Sequence, residues 1–279
     1  MRLPAPRSLR SRRLDARLKR ALRLATDGRF EEAEGEARAC EAGARRLWRP
    51  GRRRAMTWYA RTTATAVACA HGRGEEVLPE MEALIAELDG LTGPGRTLAL
   101  LVRNNRAAVL DWQGRHTEAE AEARALLREL TRLKHLGTTK VWKLELTVLD
   151  GLAEALCGLG RHEEAEAIAR GNLPRAAGVD GAEAALHSTL VRSLTGQGRH
   201  AEALAEAHRI TPKRERGHTG RLDLATAAAL HGLGRRAEAE AAARRALADC
   251  ETQLHPSHPR IRQARALLER LAAGGPHHA

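Results

Sequence analysis

One short block occurs six times in this chain of 279 residues and limits its possible folds more than any other feature. It is a glycine, then arginine, then two residues, then Glu-Ala or a close variant. It stands as Gly28-Arg-Phe-Glu-Glu-Ala33, Gly72-Arg-Gly-Glu-Glu-Val77 and Gly114-Arg-His-Thr-Glu-Ala119. It returns as Gly160-Arg-His-Glu-Glu-Ala165, Gly198-Arg-His-Ala-Glu-Ala203 and Gly234-Arg-Arg-Ala-Glu-Ala239. Successive glycines are 44, 42, 46, 38 and 36 residues apart. A period of about 40 residues, with helical sequence on both sides, predicts a helical-repeat solenoid.

The local chemistry explains the block. Each glycine follows a Leu/Ala-rich segment such as Leu222-Asp-Leu-Ala-Thr-Ala-Ala-Ala-Leu230, whose apolar residues recur at helical spacing. A glycine just past such a segment can take the left-handed conformation that ends a helix. Acidic residues after it suit the positive end of a new helix. The alanine five residues past the glycine lets the second helix lie close to the first. Each unit is therefore expected to be helix, tight turn, helix.

These residues resemble the tetratricopeptide repeat family. Its small position seven residues before the glycine corresponds to Ala21, Thr65, Ala107, Ala153, Val191 and Ala227. Its large apolar position, four before, holds Leu24, Ala68, Leu110, Leu156, Leu194 and Leu230. Its smallish position, nine after, holds Ala37, Met81, Ala123, Ala169, Ala207 and Ala243. The longer periods, and Leu254-His-Pro-Ser-His-Pro259 before a last helix, are similar to the kinesin-light-chain style of the repeat. The chain departs from the pattern in its aromatic content of 2%, and in Gly74 and Val77 of the second block. The resemblance implies an all-α, right-handed α-solenoid of about six units.

The expected organisation is a basic arm at 1–10, one solenoid over 11–272 and a loose tail at 273–279. The units fall near 11–49, 52–92, 96–136, 138–175, 180–211 and 217–254, with a capping helix at 258–272. Ser11 is expected as the N-cap of the first helix, with Leu14, Leu18, Ala21, Leu22 and Ala25 on one face. Pro50-Gly51 and Gly93-Pro-Gly95 are expected to separate units. Thr138-Thr139, Asp180 and Arg216-Gly217 are expected at later unit starts.

Charge is uneven. Residues 1–61 hold 18 Arg/Lys against 7 Asp/Glu, and the remainder holds 29 against 28. Arg10, Arg12, Arg13, Arg17, Lys19 and Arg20 form one basic cluster, and Arg52, Arg53 and Arg54 a second. Such an end attracts nucleic acid or an acidic surface. The compositional explanation is that only five of 47 basic residues are Lys, which is the bias of a GC-rich genome. No apolar run is long enough for a membrane span, and the first residues lack the apolar core of a secretion signal. Cys40, Cys69, Cys157 and Cys250 are far apart and have no zinc spacing. They are expected as buried thiols of a cytoplasmic protein.

Nothing in the chain matches a nucleophile motif, phosphate loop or dinucleotide fingerprint, so no enzymatic activity and no cofactor are expected. His116, His162 and His200 recur at one block position, but stacked repeats hold them about 10 Å apart, too far to share a zinc. They are expected to fill the turn, and His255 and His258 to cap a helix. The resemblance places partner binding on the first helices of the units, in a groove that takes another protein or a peptide. There the candidates are Tyr59, Thr62, Arg103, Asn104, Asn105, Asp111, Trp112, Asp150, Glu154, Ser188, Arg192 and Arg221. Asn105 sits where peptide-binding members carry an Asn, whose amide can bond an extended backbone. Trp112 and Tyr59 are apolar anchors or packing residues. The expectation is a noncatalytic adaptor; the alternatives are a regulator touching nucleic acid through its basic end and a peptide sensor.

Overall fold

The computed structural model of the chain describes residues 9–135, 141–179, 181–209 and 219–273. All regular structure among them is helical. The elements are α1 (Leu9–Thr26), α2 (Phe30–Ala44), α3 (Pro50–His71), α4 (Gly74–Leu88), α5 (Pro94–Trp112), α6 (His116–His135) and α7 (Trp142–Gly158). They continue as α8 (His162–Ala176), α9 (Ala182–Gly196), α10 (His200–Ala207), α11 (Arg221–Gly232), α12 (Arg236–Gln253) and α13 (Pro259–Ala273). The chain forms two compact units, up to Asn105 and from Arg106 onward. In the first, α2 packs on α1 and α3, α4 on α3, and α1 on α3. In the second, α7, α9, α11 and α13 form a row of first helices, with α8, α10 and α12 each packed against the two consecutive first helices that flank it. This is the hairpin stacking of an α-solenoid.

The block glycines make the turns. Gly28, Gly72, Gly114, Gly160, Gly198 and Gly234 all have φ between 71° and 109°. Each following arginine N–H bonds the carbonyl five residues back, as in Arg29 to Leu24 at 2.8 Å and Arg199 to Leu194 at 2.9 Å. Each glycine N–H bonds the carbonyl three back, as in Gly198 to Thr195 at 3.0 Å. These two bonds satisfy the last carbonyls of the helix, the Schellman arrangement. Every residue at the small, large and smallish register positions is buried, from Ala21 at 0% exposed to Ala107 at 8%. Alanine at most of them permits close helix approach, and leucines such as Leu156, Leu190 and Leu194 fill the remainder.

The block arginine also clamps the turn. Arg161 grips Glu164 with bonds of 2.5 and 2.6 Å, and Arg199 grips Glu202 at 2.8 and 2.5 Å. Arg29–Glu32, Arg115–Glu118 and Arg235–Glu238 repeat the grip, and Arg73–Glu76 makes it at 3.5 Å. Three of these arginines reach the preceding hairpin as well: Arg161 to Glu120 and Arg199 to Glu166, each at 2.7 Å, and Arg73 to Glu34. The same glutamates take an arginine one helical turn on, Arg124, Arg170 and Arg38. The result is a charge ladder from hairpin to hairpin, in which each acid sits between two guanidiniums.

The block histidines fill the turn. A side chain added at Gly158, Gly196 or Gly232 would overlap the ring of His116, His162 or His200 respectively. In the first unit Phe30 takes this place and stacks on His71, centroids 5.3 Å apart.

Several local expectations are corrected. Leu9 and Arg10 belong to α1 and not to an arm. Ser11 is no cap; it is buried inside α1 and its hydroxyl accepts from Arg52 Nε at 3.1 Å. Leu22 is 57% exposed because the buried stripe runs through Leu14, Ala21 and Leu24. Pro50 and Pro94 do not lie between helices but open α3 and α5, where a missing N–H costs nothing. Residues 1–8, Thr138-Thr139, Asp180, Arg216-Gly217 and 274–279 lie outside the described residues.

Candidate functional site

In the second unit the row of first helices gathers five expected or neighbouring polar residues into one network. Arg221 on α11 donates to both Asp150 oxygens on α7, at 2.9 and 3.0 Å, and to Glu154 Oε1 at 2.8 Å. Thr189 on α9 accepts from Arg221 at 2.6 Å, and its hydroxyl lies 2.7 Å from Asp150 Oδ1 and 2.8 Å from Glu154 Oε1. Arg192 closes the group on Glu154 Oε2 at 2.5 Å. Within this group two acids and two guanidiniums cancel. Burial alone would raise the Glu154 carboxyl, but Arg221 and Arg192 outweigh it and hold the group well below its ordinary 4.5. Burial likewise opposes the Arg221 charge, and Asp150 and Glu154 more than restore it. Ser188 is buried and its hydroxyl bonds Ala184 O, within its own helix.

The ends of this row are also occupied. Asp111 lies 2.7 Å from His116 Nδ1; burial raises its carboxyl, and the His116 bond opposes that shift. The Trp112 ring packs on His258, centroids 5.5 Å apart and tilted by 50°. His258 is buried, and its Nδ1 accepts the Arg260 backbone N–H at 3.1 Å at the start of α13. His255 Nδ1 sits 2.6 Å from Ser257 Oγ just before it.

In the first unit, Arg103, Asn104 and Asn105 are half-buried on α5. Among the described residues the amides of Asn104 and Asn105 make no hydrogen bond. Tyr59 on α3 is 41% exposed, and Thr62 is buried with its hydroxyl unpartnered.

The basic residues separate into committed and open ones. Arg52 bonds both Asp15 oxygens at 2.8 Å, Arg17 and Arg20 lie 3.2 and 3.7 Å from Glu36, and Arg10 donates to Arg46 O at 3.1 Å. Arg12, Arg13 and Lys19 are exposed on α1. Arg53 and Arg54 line an open cleft of about 410 Å³ with Arg45, Trp58 and Glu87. Sequence reasoning did not single out Trp48, Trp58, Arg45 or Glu87. The signal was there: residues 45–54 hold six arginines around a tryptophan, and no acid occurs from 42 to 74.

Among the described residues no cluster of three or more His, Cys, Asp or Glu could hold a metal ion. None of their helices is long and apolar enough to cross a membrane. No protein-family model matches the chain. No curated protein matches it either. Among solved structures it is similar to Bacillus thuringiensis PlcR in complex with the peptide PapR7 and DNA. The two are 16% identical with a TM-score of 0.46, over 93% of this chain and 74% of that one. So distant a likeness transfers no function.

Proposed function

We propose that the chain is a noncatalytic scaffold that binds another protein or a peptide along its first helices. The observation that carries this is the contrast between α5 and the row that follows. Asp150, Glu154, Arg192 and Arg221 are matched to one another. Asn104 and Asn105 are half-buried and offer two amide NH2 groups and two carbonyl oxygens that no described residue takes up. Half-buried amides without partners suit an extended backbone, which needs a donor and an acceptor side by side. Peptide-display selection on the whole chain tests this. Selected peptides should bind an Asn104→Ala/Asn105→Ala variant about tenfold more weakly, the loss of one to two hydrogen bonds. Equal affinity would rule out α5 as the recognition helix.

A second reading is favoured by a separate observation. The net charge of +11 up to residue 61 is not fully absorbed by ion pairs, since Arg53 and Arg54 face an open cleft. It makes the basic end a contact for nucleic acid or for an acidic protein surface.

A further inference from the structure

The corner between α2 and α3 combines features that the fold itself does not use. Trp48, in the loop, is 94% exposed. An indole left in water adds nothing to the packing of its own unit, yet offers a flat apolar face to a ligand. Two residues on, Pro50 lines a cleft with the volume of an ordinary ligand site, at 410 Å³ within a usual range of about 300–1,000 Å³. The indole that lines this cleft, Trp58, is held in place: Nε1 donates to Glu87 at 3.2 Å, and the Arg54 guanidinium stands 5.9 Å from the ring centroid. Glu87, the acid on the cleft, is already neutralised by Arg61 at 2.7 Å. The first turn of α3 opens here without a side-chain cap, so its backbone amides add to the positive field. Arg52 is excluded, being committed to Asp15 at 2.8 Å on both oxygens, whereas Arg45 is 77% exposed and reaches Glu41 only at 3.6 Å.

We infer that this corner binds single-stranded nucleic acid, with bases stacked on Trp48 and Trp58 and phosphates paired with Arg45, Arg53 and Arg54. The inference rests on the second reading above and names its site and ligand. Flat rings interleaved with guanidiniums match unstacked bases joined by phosphates. An acidic protein segment would satisfy the arginines and leave the exposed indole unused. A duplex hides its base faces.

The test is anisotropy of a labelled 12-nucleotide oligo-dT with the full chain, alongside tryptophan fluorescence. Poly-glutamate and a duplex of equal length serve as competitors. Binding should quench tryptophan emission, and log affinity should fall with log salt at a slope of about −2 for three phosphates at about −0.7 each. Trp48→Ala should weaken binding about tenfold and leave the slope unchanged, as expected for the loss of one stacked base. Arg53→Ala/Arg54→Ala should flatten the slope by about 1.4, two phosphates at about 0.7 each. All three side chains are exposed, so the variants should keep the wild-type circular dichroism. Equal binding by wild type and both variants would overturn this site and leave the basic-end reading standing. Competition by poly-glutamate without quenching would assign the corner to an acidic protein instead. No binding at low salt would overturn both the site and the nucleic-acid half of that reading.

Discussion

The imidazole of His162 lies against the backbone of Gly196, one hairpin further along, so closely that a Cβ on Gly196 would overlap the ring. The pairs His116–Gly158 and His200–Gly232 repeat the contact. A chain with 2% aromatics thus plugs its turns with imidazoles, and a missing side chain makes room for each. Neither partner explains itself alone. Gly196 ends α9 with ordinary helical neighbours, where alanine has the better intrinsic propensity.

Gly196→Ala is therefore expected to destabilise the chain despite the gain in propensity. Overpacking a well-filled contact costs about 1–3 kcal/mol against a propensity gain of about 1 kcal/mol. His162→Ala should remove the clash, so the double variant should be more stable than Gly196→Ala alone. Urea unfolding of the three variants forms the cycle. Additive effects would mean that ring and glycine do not touch.

The Asp150–Glu154–Thr189–Arg192–Arg221 network makes an acid-stability expectation. Glu154 is depressed below 4.5 in the folded chain, so its contribution is present above the unfolded value and lost as pH falls toward the folded one. Wild type should lose stability steeply below about pH 4.5, and Glu154→Gln less steeply, because it has no such proton to take up. At neutral pH Arg221→Met should cost about 3 kcal/mol, since it leaves the shielded Asp150 without a guanidinium and Glu154 with Arg192 alone. Denaturant midpoints measured from pH 3 to pH 7 report both effects. Parallel pH profiles for wild type and Glu154→Gln would contradict the assignment.

The turn register was legible in the sequence because glycine, alanine and leucine answer to local rules: left-handed φ, close approach, helical period. Every register residue from Ala21 to Ala243 is buried accordingly. The acids after each glycine were legible as helix starts, but their partners were not. Arg161 bonds Glu120 across 41 residues, and only the stacking distance between hairpins brings them together. The same limit applied to the first helices. Asp150 and Arg221 were recognisable as polar residues on packed helices, yet their mutual pairing over 71 residues depends on the order of α7, α9 and α11. The arginine–tryptophan corner was legible as composition and was hidden by the arginine bias of the whole chain.

The ladder predicts unequal effects from equal-looking acids. Glu166 accepts from Arg170, Arg199 and Gln197 and is 14% exposed, whereas Glu202 pairs with Arg199 at 55% exposure. Glu166→Ala should lower stability by about 1 kcal/mol, because it leaves two guanidiniums of adjacent hairpins facing each other. Glu202→Ala should leave the thermal midpoint nearly unchanged, since solvent screens that pair. Comparable midpoints for the two variants would show that the ladder does not couple the hairpins.

Cys40, Cys69, Cys157 and Cys250 are all buried and free. Burial raises their thiols from an ordinary 9.0, to about 11 for Cys40 and Cys250 and about 12 for Cys69 and Cys157. The reactive form is the thiolate, so at pH 8 the folded chain holds very little of it at any of the four. Cys250 is further enclosed, its Sγ 3.5 Å from Thr219 O and close against Gly220. Iodoacetamide at pH 8 should label none of the four within minutes and all four in urea, as read by intact mass. Fast labelling of one cysteine without denaturant would show that its hairpin opens locally, well below the free energy of global unfolding.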